Sequence, residues 1–418
     1  MDRLTDMPDN VVEAILECLP MRDAVRTSVL SKKWQHQWET VSRLLLDYVF
    51  FDSMYRRRKP PSINYVTVVK NIMLQHHGNL IKFVIYIPDL DCKNRAEINL
   101  IVRCALRNGV RELSMEKAGN IPHVLPSFLF SAAKQLTQLK LSNCVFNPPL
   151  VFNGFLNLKS LELSSIMCPN LERLSSFISS CQELRRVRMD NLNNLDQHLC
   201  VHAVKIEDLQ IGGRFKSVSL KGIQDLVSLS IYLEELNDGF EKDMPCKDYM
   251  LHIFGMLRKI KYLKLGGYIF DLFSSENFPR KLSPGLDHLN KIVAFSIDLG
   301  RVKEVHCLLC LIRSSPNLQE LKITAFRETD VDGEPLLQSE TQVYDDCFLQ
   351  HLWSVRIIEF MGAKAELKFM EFLLRCSPVL EIMSVQPAAD LHGDAKLEAL
   401  TELTQYCRAS PKARVFLE

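Results

Sequence analysis

The 418-residue sequence is defined first by what it lacks. It has no G-x-G-x-x-G and no P-loop, so no backbone loop is set up to cradle a phosphate. His198 and His202 stand four apart, but no carboxylate completes an H-E-x-x-H zinc motif. Cys307 and Cys310 form a C-x-x-C without a second pair, inside the apolar run "VHCLLCLI", where buried thiols are expected rather than zinc. RING-type metal spacing is absent, and "DVDGE" (330–334) supplies only half the ligands of a calcium loop. No apolar run is long enough to cross a bilayer. There is no Asn-x-Ser/Thr sequon, and the opening "MDRLTDMPDN" has no signal-peptide core. A formal net charge of +1 provides no global field toward nucleic acid or an anionic membrane, although "YRRRK" (55–59) is a local basic run. The expectation is a protein without cofactor, metal or active site, located in the cytoplasm or nucleus. Its 13 cysteines then serve as small core residues.

What is present begins with "MPDNVVEAILECLPMRDAVRTSVLSKKWQHQW", from Met7 to Trp38. Pro8 and Asp9 suit a helix start. Val11, Val12, Ile15, Leu16 and Leu19 recur at helical spacing, and Pro20 ends that helix. A second helix is expected over Arg22–Val29. Ser31 is positioned to cap a third, with Trp34, Trp38 and Val41 as its stripe. About forty residues is near the lower limit for an independent fold. Either the rest of the chain or a partner must therefore cover the apolar excess. Lys32 and Lys33 could make a DNA-reading face, but the segment has few Arg or Asn on one recognition face.

These residues closely resemble a plant-type F-box. The match rests on Leu19-Pro20, Arg26-Thr27-Ser28, Leu30-Ser31-Lys32, Trp34 and Trp38, and it spans residues 2 to about 42. Met7 stands where the family usually has Leu, a volume-conserving change. The resemblance implies a Skp-family adaptor as partner and, through it, a cullin. The residues it implies for adaptor binding are Leu4, Pro8, Val11, Ile15, Leu16, Leu19, Pro20, Val29, Leu30 and Trp34.

Further along, one phrase returns. "LTQLKL" starts at Leu136, "LKSLEL" at Leu158, "LRRVRM" at Leu184, "IEDLQI" at Ile206 and "LVSLSI" at Leu226, in steps of 22, 26, 22 and 20. Weaker copies stand at Val110, Ile260, near Ile292 and at Leu318. L-x-x-L-x-L at this period is the leucine-rich-repeat signature. One strand and one return segment cannot bury their own apolar face, whereas stacked copies bury it together as a curved parallel sheet with helical or irregular returns. Irregular steps after 226 predict insertions, one of them the polar stretch 232–250. The polar positions flanking the fourth residue of each phrase should form the open face. Lys140, Glu162, Arg186, Arg188, Asp208, Tyr262 and Lys264 are its candidate substrate-contacting residues. Their mixed signs suit a protein ligand better than a duplex.

The acidic, Gly/Pro-bearing stretch 324–346 predicts a boundary. "SVRIIEFMGAKAELKFMEFLLRCSPVLEIMSV" then reads strand, turn, helix, strand, with Leu367, Met370, Leu373 and Leu374 as the helix stripe. With the tail "YCRASPKARVFL" it resembles the FBD domain that ends many plant F-box/leucine-rich-repeat proteins, over roughly 345–417. The expected α/β architecture is a small all-α F-box (1–45), a leucine-rich-repeat solenoid (46–340) and an FBD-like α/β cap (341–418). The function so implied is that of a non-catalytic substrate-recognition subunit of an SCF-type ubiquitin ligase, with an unidentified protein substrate. The alternative is a leucine-rich-repeat scaffold or ligand sensor outside any ligase.

Overall fold

A parallel strand begins at the third residue of each phrase, which places apolar residues at the fourth and sixth positions on one face and polar ones on the other. The computed structural model describes residues 7–55, 65–89, 94–234, 253–267, 269–270, 279–326, 348–389, 391 and 393–417. Leu4, the basic run 56–59, the polar stretch 235–250 and the acidic stretch 327–346 lie outside the described residues. The chain divides into two units, Met1–Ala203 and Val204–Glu418.

In the first unit, helices α1 (Asp9–Cys18) and α2 (Met21–Arg26) lead into strand β1 (Arg43–Leu46). Then follow α3 (Tyr48–Tyr55), α4 (Tyr65–Gln75), β2 (Lys82–Ile87), α5 (Arg95–Arg107), β3 (Glu112–Lys117), β4 (His123–Val124), α6 (Phe128–Ala132), β5 (Gln138–Ser142), β6 (Cys144–Val145), β7 (Ser160–Ser164), α7 (Leu171–Ser180) and the long β8 (Arg186–His202). The sheet order is β1-β2-β3-β5-β7-β8, every neighbouring pair parallel. One hidden row runs Leu44, Phe83, Leu113, Leu139, Leu161, Val187, and the next Leu46, Ile85, Met115, Leu141, Leu163, Met189. The returns pack on that side. Asn170 caps α7, its Oδ1 accepting from the Glu172 amide at 2.7 Å. The α7 ring of Phe177 meets Phe146 edge-on and Phe152 face to face, each at 5.1 Å.

The third N-terminal helix does not form as an α-helix. Turns run from Ser31, and a 3-10 segment covers Gln37–Thr40, with three-residue bonds such as Trp34 N–H to the Ser31 carbonyl at 3.1 Å. Both indoles are buried there. Burial of the two large rings outweighs the helix preference that Lys32, Lys33, Gln35 and Gln37 bring to this stretch.

The eighth residue of several phrases lies in the left-handed region, just past its strand at Asn143 (φ 52°) and Ser165 (φ 51°), within β8 at Asn191 (φ 55°) and, in the second unit, at the last residue of β11, Gly267 (φ 65°). Asn143 offsets that strain by donating its amide to the Lys117 and Gly119 carbonyls one repeat earlier.

The second unit stacks β9 (Asp208–Lys221), β10 (Ser228–Leu233), β11 (Tyr262–Gly267), β12 (Lys291–Ile297), β13 (Glu320–Ala325), β14 (Ser354–Phe360), β15 (Ile382–Pro387) and β16 (Arg414–Leu417) in chain order, all parallel. The predicted helix is Lys364–Cys376, with Leu367, Met370, Leu373 and Leu374 all buried. The C-terminal block ends the array by extending its ladder, since β14 to β16 continue the register of β13. Two return helices share a device. In Val302–Arg313 and Lys364–Cys376 a buried glutamate at the third position, Glu304 or Glu366, accepts the backbone N–H of Asp298 (2.9 Å) or Met361 (3.0 Å) on the incoming chain. Among the described residues, no helix is long and apolar enough to cross a membrane.

Candidate functional site

Two surfaces carry the sequence-predicted residues, and the first is the N-terminal unit. Val12, Leu16, Ala24, Trp34 and Val41 form a core, with Met7, Ile15 and Leu19 partly buried against it. Lys33 pins the segment after α2 to the start of α1 by pairing with Asp9 at 3.3 Å and donating to the Met7 carbonyl. The cluster is joined to the first strand pair. The Ile81 amide donates to the Ser42 carbonyl at 2.7 Å, Arg22 to the Ser53 carbonyl at 2.6 Å, and Ser42 to the Glu17 carboxylate. His76 Nε2 lies 2.8 Å from the Val41 carbonyl, and burial pulls the His76 pKa down, so the neutral ring donates that bond.

This geometry sorts the ten predicted docking residues. Leu16 and Trp34 are 2% and 1% exposed, so in this structure they hold the others in place from inside. Their apolar surface is covered by their own chain. Val29 is 87% exposed, Leu30 49% and Val11 39%, and Pro8 is exposed beside them in sequence at the head of α1. Ile15 is half-buried. Leu19 and Pro20 border a cleft of about 540 Å³ also lined by Arg22, Asp47 and Phe50.

The second surface is the polar face of the sheets. In the first unit the register sets Lys140 beside Glu162 and Glu162 beside Arg188, with Arg186 beside Ser160. Lys140 pairs with Glu162 at 3.6 Å and Lys82 with Glu112 at 3.2 Å, so opposite charges alternate and largely neutralise one another. In the second unit Tyr262 stands two strands from Asp208, across Ser228, and Lys264 follows Tyr262 on the same face. The Tyr262 hydroxyl is pushed up in pKa chiefly by burial.

The open face extends beyond the third and fifth phrase positions to the seventh. That position carries Tyr232 on β10, Gly266 on β11 and Phe295 on β12, aligned in one row. The signal was available in the same two-residue alternation, because the strands continue one pleat further than the phrase.

Elsewhere the chemistry is quiet. Cys307 and Cys310 are buried in one helix, and desolvation raises both thiols, Cys310 to about 11, which keeps it protonated at neutral pH. Among the described residues no group of three His, Cys, Asp or Glu side chains could hold a metal ion.

Comparison with known proteins agrees with this layout. The F-box domain model matches residues 4–46, the model "FBD-associated F-box protein At5g56370, LRR repeats" matches 98–323, and the FBD model matches 346–385. The chain is similar to the F-box/FBD/LRR-repeat protein At1g13570 of Arabidopsis thaliana, at 34% identity over 99% of this chain and 98% of that protein. It is also similar to two others from the same plant. The F-box/FBD/LRR-repeat protein At5g56420 is 24% identical over 100% of this chain and 99% of its own length. The FBD-associated F-box protein At4g10400 is 23% identical over 98% of both.

Proposed function

Because the chain belongs to the F-box/FBD/LRR-repeat family, we propose that it is a non-catalytic substrate-recognition subunit of an SCF-type ubiquitin ligase. It binds a Skp-family adaptor, and through it a cullin, with its N-terminal helices. It holds a protein substrate on the polar face of its repeats. The mechanism is proximity: a substrate lysine is held near a ubiquitin-loaded enzyme recruited elsewhere in the assembly, which raises its effective concentration. No residue of this chain need touch the reacting atoms. The setting is the cytoplasm or nucleus, which suits a chain whose ten described cysteines are all free thiols.

The observation that supports this most directly is the split within the N-terminal unit. Its core is closed, yet Val11, Val29 and Leu30 remain on the outside of a segment with the F-box pattern. Covering each such side chain is worth roughly 1.5–3 kcal/mol, so three of them supply a substantial part of a tight interface. The test is a titration of the full chain against a purified Skp-family adaptor, beside Val29→Asp and Val11→Asp. Both sites are exposed, so both variants should fold. Affinity should drop by about tenfold or more in each, since an aspartate buried at an apolar contact costs more than the 1.4 kcal/mol of one decade. A folded parent that does not bind the adaptor would overturn the ligase reading.

A further inference from the structure

The polar face of the second unit differs from that of the first in one place. Strands β10 to β13 offer three aligned rows there: Ser228, Tyr262, Lys291, Glu320; then Ser230, Lys264, Val293, Lys322; then Tyr232, Gly266, Phe295, Thr324. Four of these twelve positions are charged, three of them lysine. The lone acid, Glu320, is held by Lys291 at 2.6 Å. Lys264 and Lys322 have no carboxylate partner among the described residues. Val293 separates them, so they stand about two strand spacings, roughly 10 Å, apart.

Beside this pair lies an aromatic shelf. Gly266 has no side chain, and the rings of Tyr232 and Phe295 meet over it edge to face, with centroids 5.6 Å apart and planes at 70°. A Cβ at Gly266 would lie 3.1 Å from Tyr232 Cδ2 and 2.7 Å from the Phe295 carbonyl oxygen, so the missing side chain makes room for the ring contact. Lys264 Nζ sits 5.5 Å from the Phe295 ring centre. Phe295 nonetheless remains 37% exposed at a position where the first unit carries Glu116, Ser142, Ser164 or Asp190, and where its one aromatic, Tyr86, is 9% exposed and packed against Tyr48 and Phe51.

We propose that Tyr232, Phe295, Lys264 and Lys322 form the anchor of the substrate surface, and that its ligand is an acidic protein segment bearing an aromatic side chain. The proposal rests on the polar face being the substrate-holding face, but not on the adaptor. Two uncompensated ammonium groups select carboxylates, and the shelf takes an apolar ring, the kind of contact that dominates interface energies. A single-stranded nucleic acid fits less well. A phosphate chain crossing the two lysines would run past the Glu320 carboxylate, and two lysines are too few to track a nucleic-acid backbone.

The test uses the full chain and a Glu/Tyr copolymer peptide with a neutral terminal dye, followed by fluorescence anisotropy. Lys/Tyr and Glu/Ser copolymers and oligo-dT serve as competitors. The Glu/Tyr peptide should bind, more weakly as salt rises, and outcompete the other three. Phe295→Ala and Lys264→Glu should each lose about tenfold or more in affinity, while Lys264→Arg keeps most of it. Lys322→Glu should also weaken binding, and because it disturbs no ring contact it covers the case in which Phe295→Ala misfolds. No binding by the parent, equal binding by Lys264→Glu and Lys322→Glu, or equal binding of Lys/Tyr peptide or oligo-dT would each overturn the proposal. The same samples titrated with the Skp-family adaptor should be unaffected, so a failed adaptor interaction and a failed peptide site read out separately.

Discussion

The sheets of the two units hide the same residues and show different ones. Behind both run rows of Leu, Ile, Val and Met buried to the same degree, as with Leu161 in one and Leu263 in the other. In front, the first unit pairs its charges strand by strand, whereas the second leaves Lys264 and Lys322 without acids and sets Phe295 among them. The contrast separates two demands on one phrase. The fourth and sixth positions must fill a core whatever the protein binds. The third, fifth and seventh are released from that duty, and any departure there from small or paired polar residues needs another cause.

The largest effect expected from this comparison is one that should be equal on the two sides. Leu161→Ala and Leu263→Ala each empty a wholly buried site between parallel neighbours and should each destabilise the protein by about 2–5 kcal/mol. Chemical denaturation measures the cost, and hydrogen exchange shows which strands loosen. A cost far smaller in one unit would mean that its hidden rows are not the shared scaffold described here.

A second effect should be confined to the first unit. His123 is buried, its Nε2 3.2 Å from Asn99 Oδ1, and desolvation together with the positive charges of Arg95 and Lys117 lowers its pKa to about 4. His76 is lowered too, mainly by burial. A folded pKa below the ordinary 6.5 means that the unfolded chain binds more protons between those values. Stability is therefore complete above about 6.5 and is lost as pH falls toward 4, by up to about 3 kcal/mol for His123. Denaturation followed from neutral pH down to about pH 5 should show the loss, and His123→Gln should flatten it. Hydrogen exchange should loosen β3 and β5 before β12 and β13; the reverse order would remove these histidines as the cause.

Most of the strand array could be read in advance because burial enforces the phrase. β3, β5, β7, β8, β9, β10, β11 and β13 each begin at the third residue of a phrase visible in the sequence. Two further strands carry weaker forms of the phrase. "VSRLLL" from Val41 gives β1, and "LIKFVI" from Leu80, with Phe83 in place of the second leucine, gives β2. "LWSVRI" and "LEIMSV" likewise place the first two strands of the C-terminal block in the repeat register, which a reading as strand, helix, strand had kept apart. The docking residues were legible as an apolar set but not as inside or outside. The Val11, Ile15, Leu16, Leu19 periodicity names a broad face, and only the packed Trp34 shows that Leu16 is its centre and Val11 its rim. The Tyr232–Phe295 shelf joins residues 63 positions apart, so no local spacing could announce it.

The smallest prediction tests the front faces by stability alone. Lys140→Glu in the first unit removes a pair with Glu162 at 3.6 Å and sets two carboxylates on adjacent strands, although Arg188 on the far side of Glu162 softens the repulsion. The exposed position limits the cost to about 0.5–1 kcal/mol. Lys322→Glu in the second unit replaces a like-charge neighbour of Arg356, its register partner on β14, with an opposite one, and gives Lys264 an opposite charge roughly 10 Å away, close to one screening length in ordinary buffer. Its effect should lie within about 0.5 kcal/mol of zero and lean toward stabilisation. The two variants should therefore differ in sign by chemical denaturation at low salt and converge as salt rises. If Lys322→Glu proved as costly as Lys140→Glu, Lys322 would be part of the scaffold, and the uncompensated charge on the second face would need no ligand to account for it.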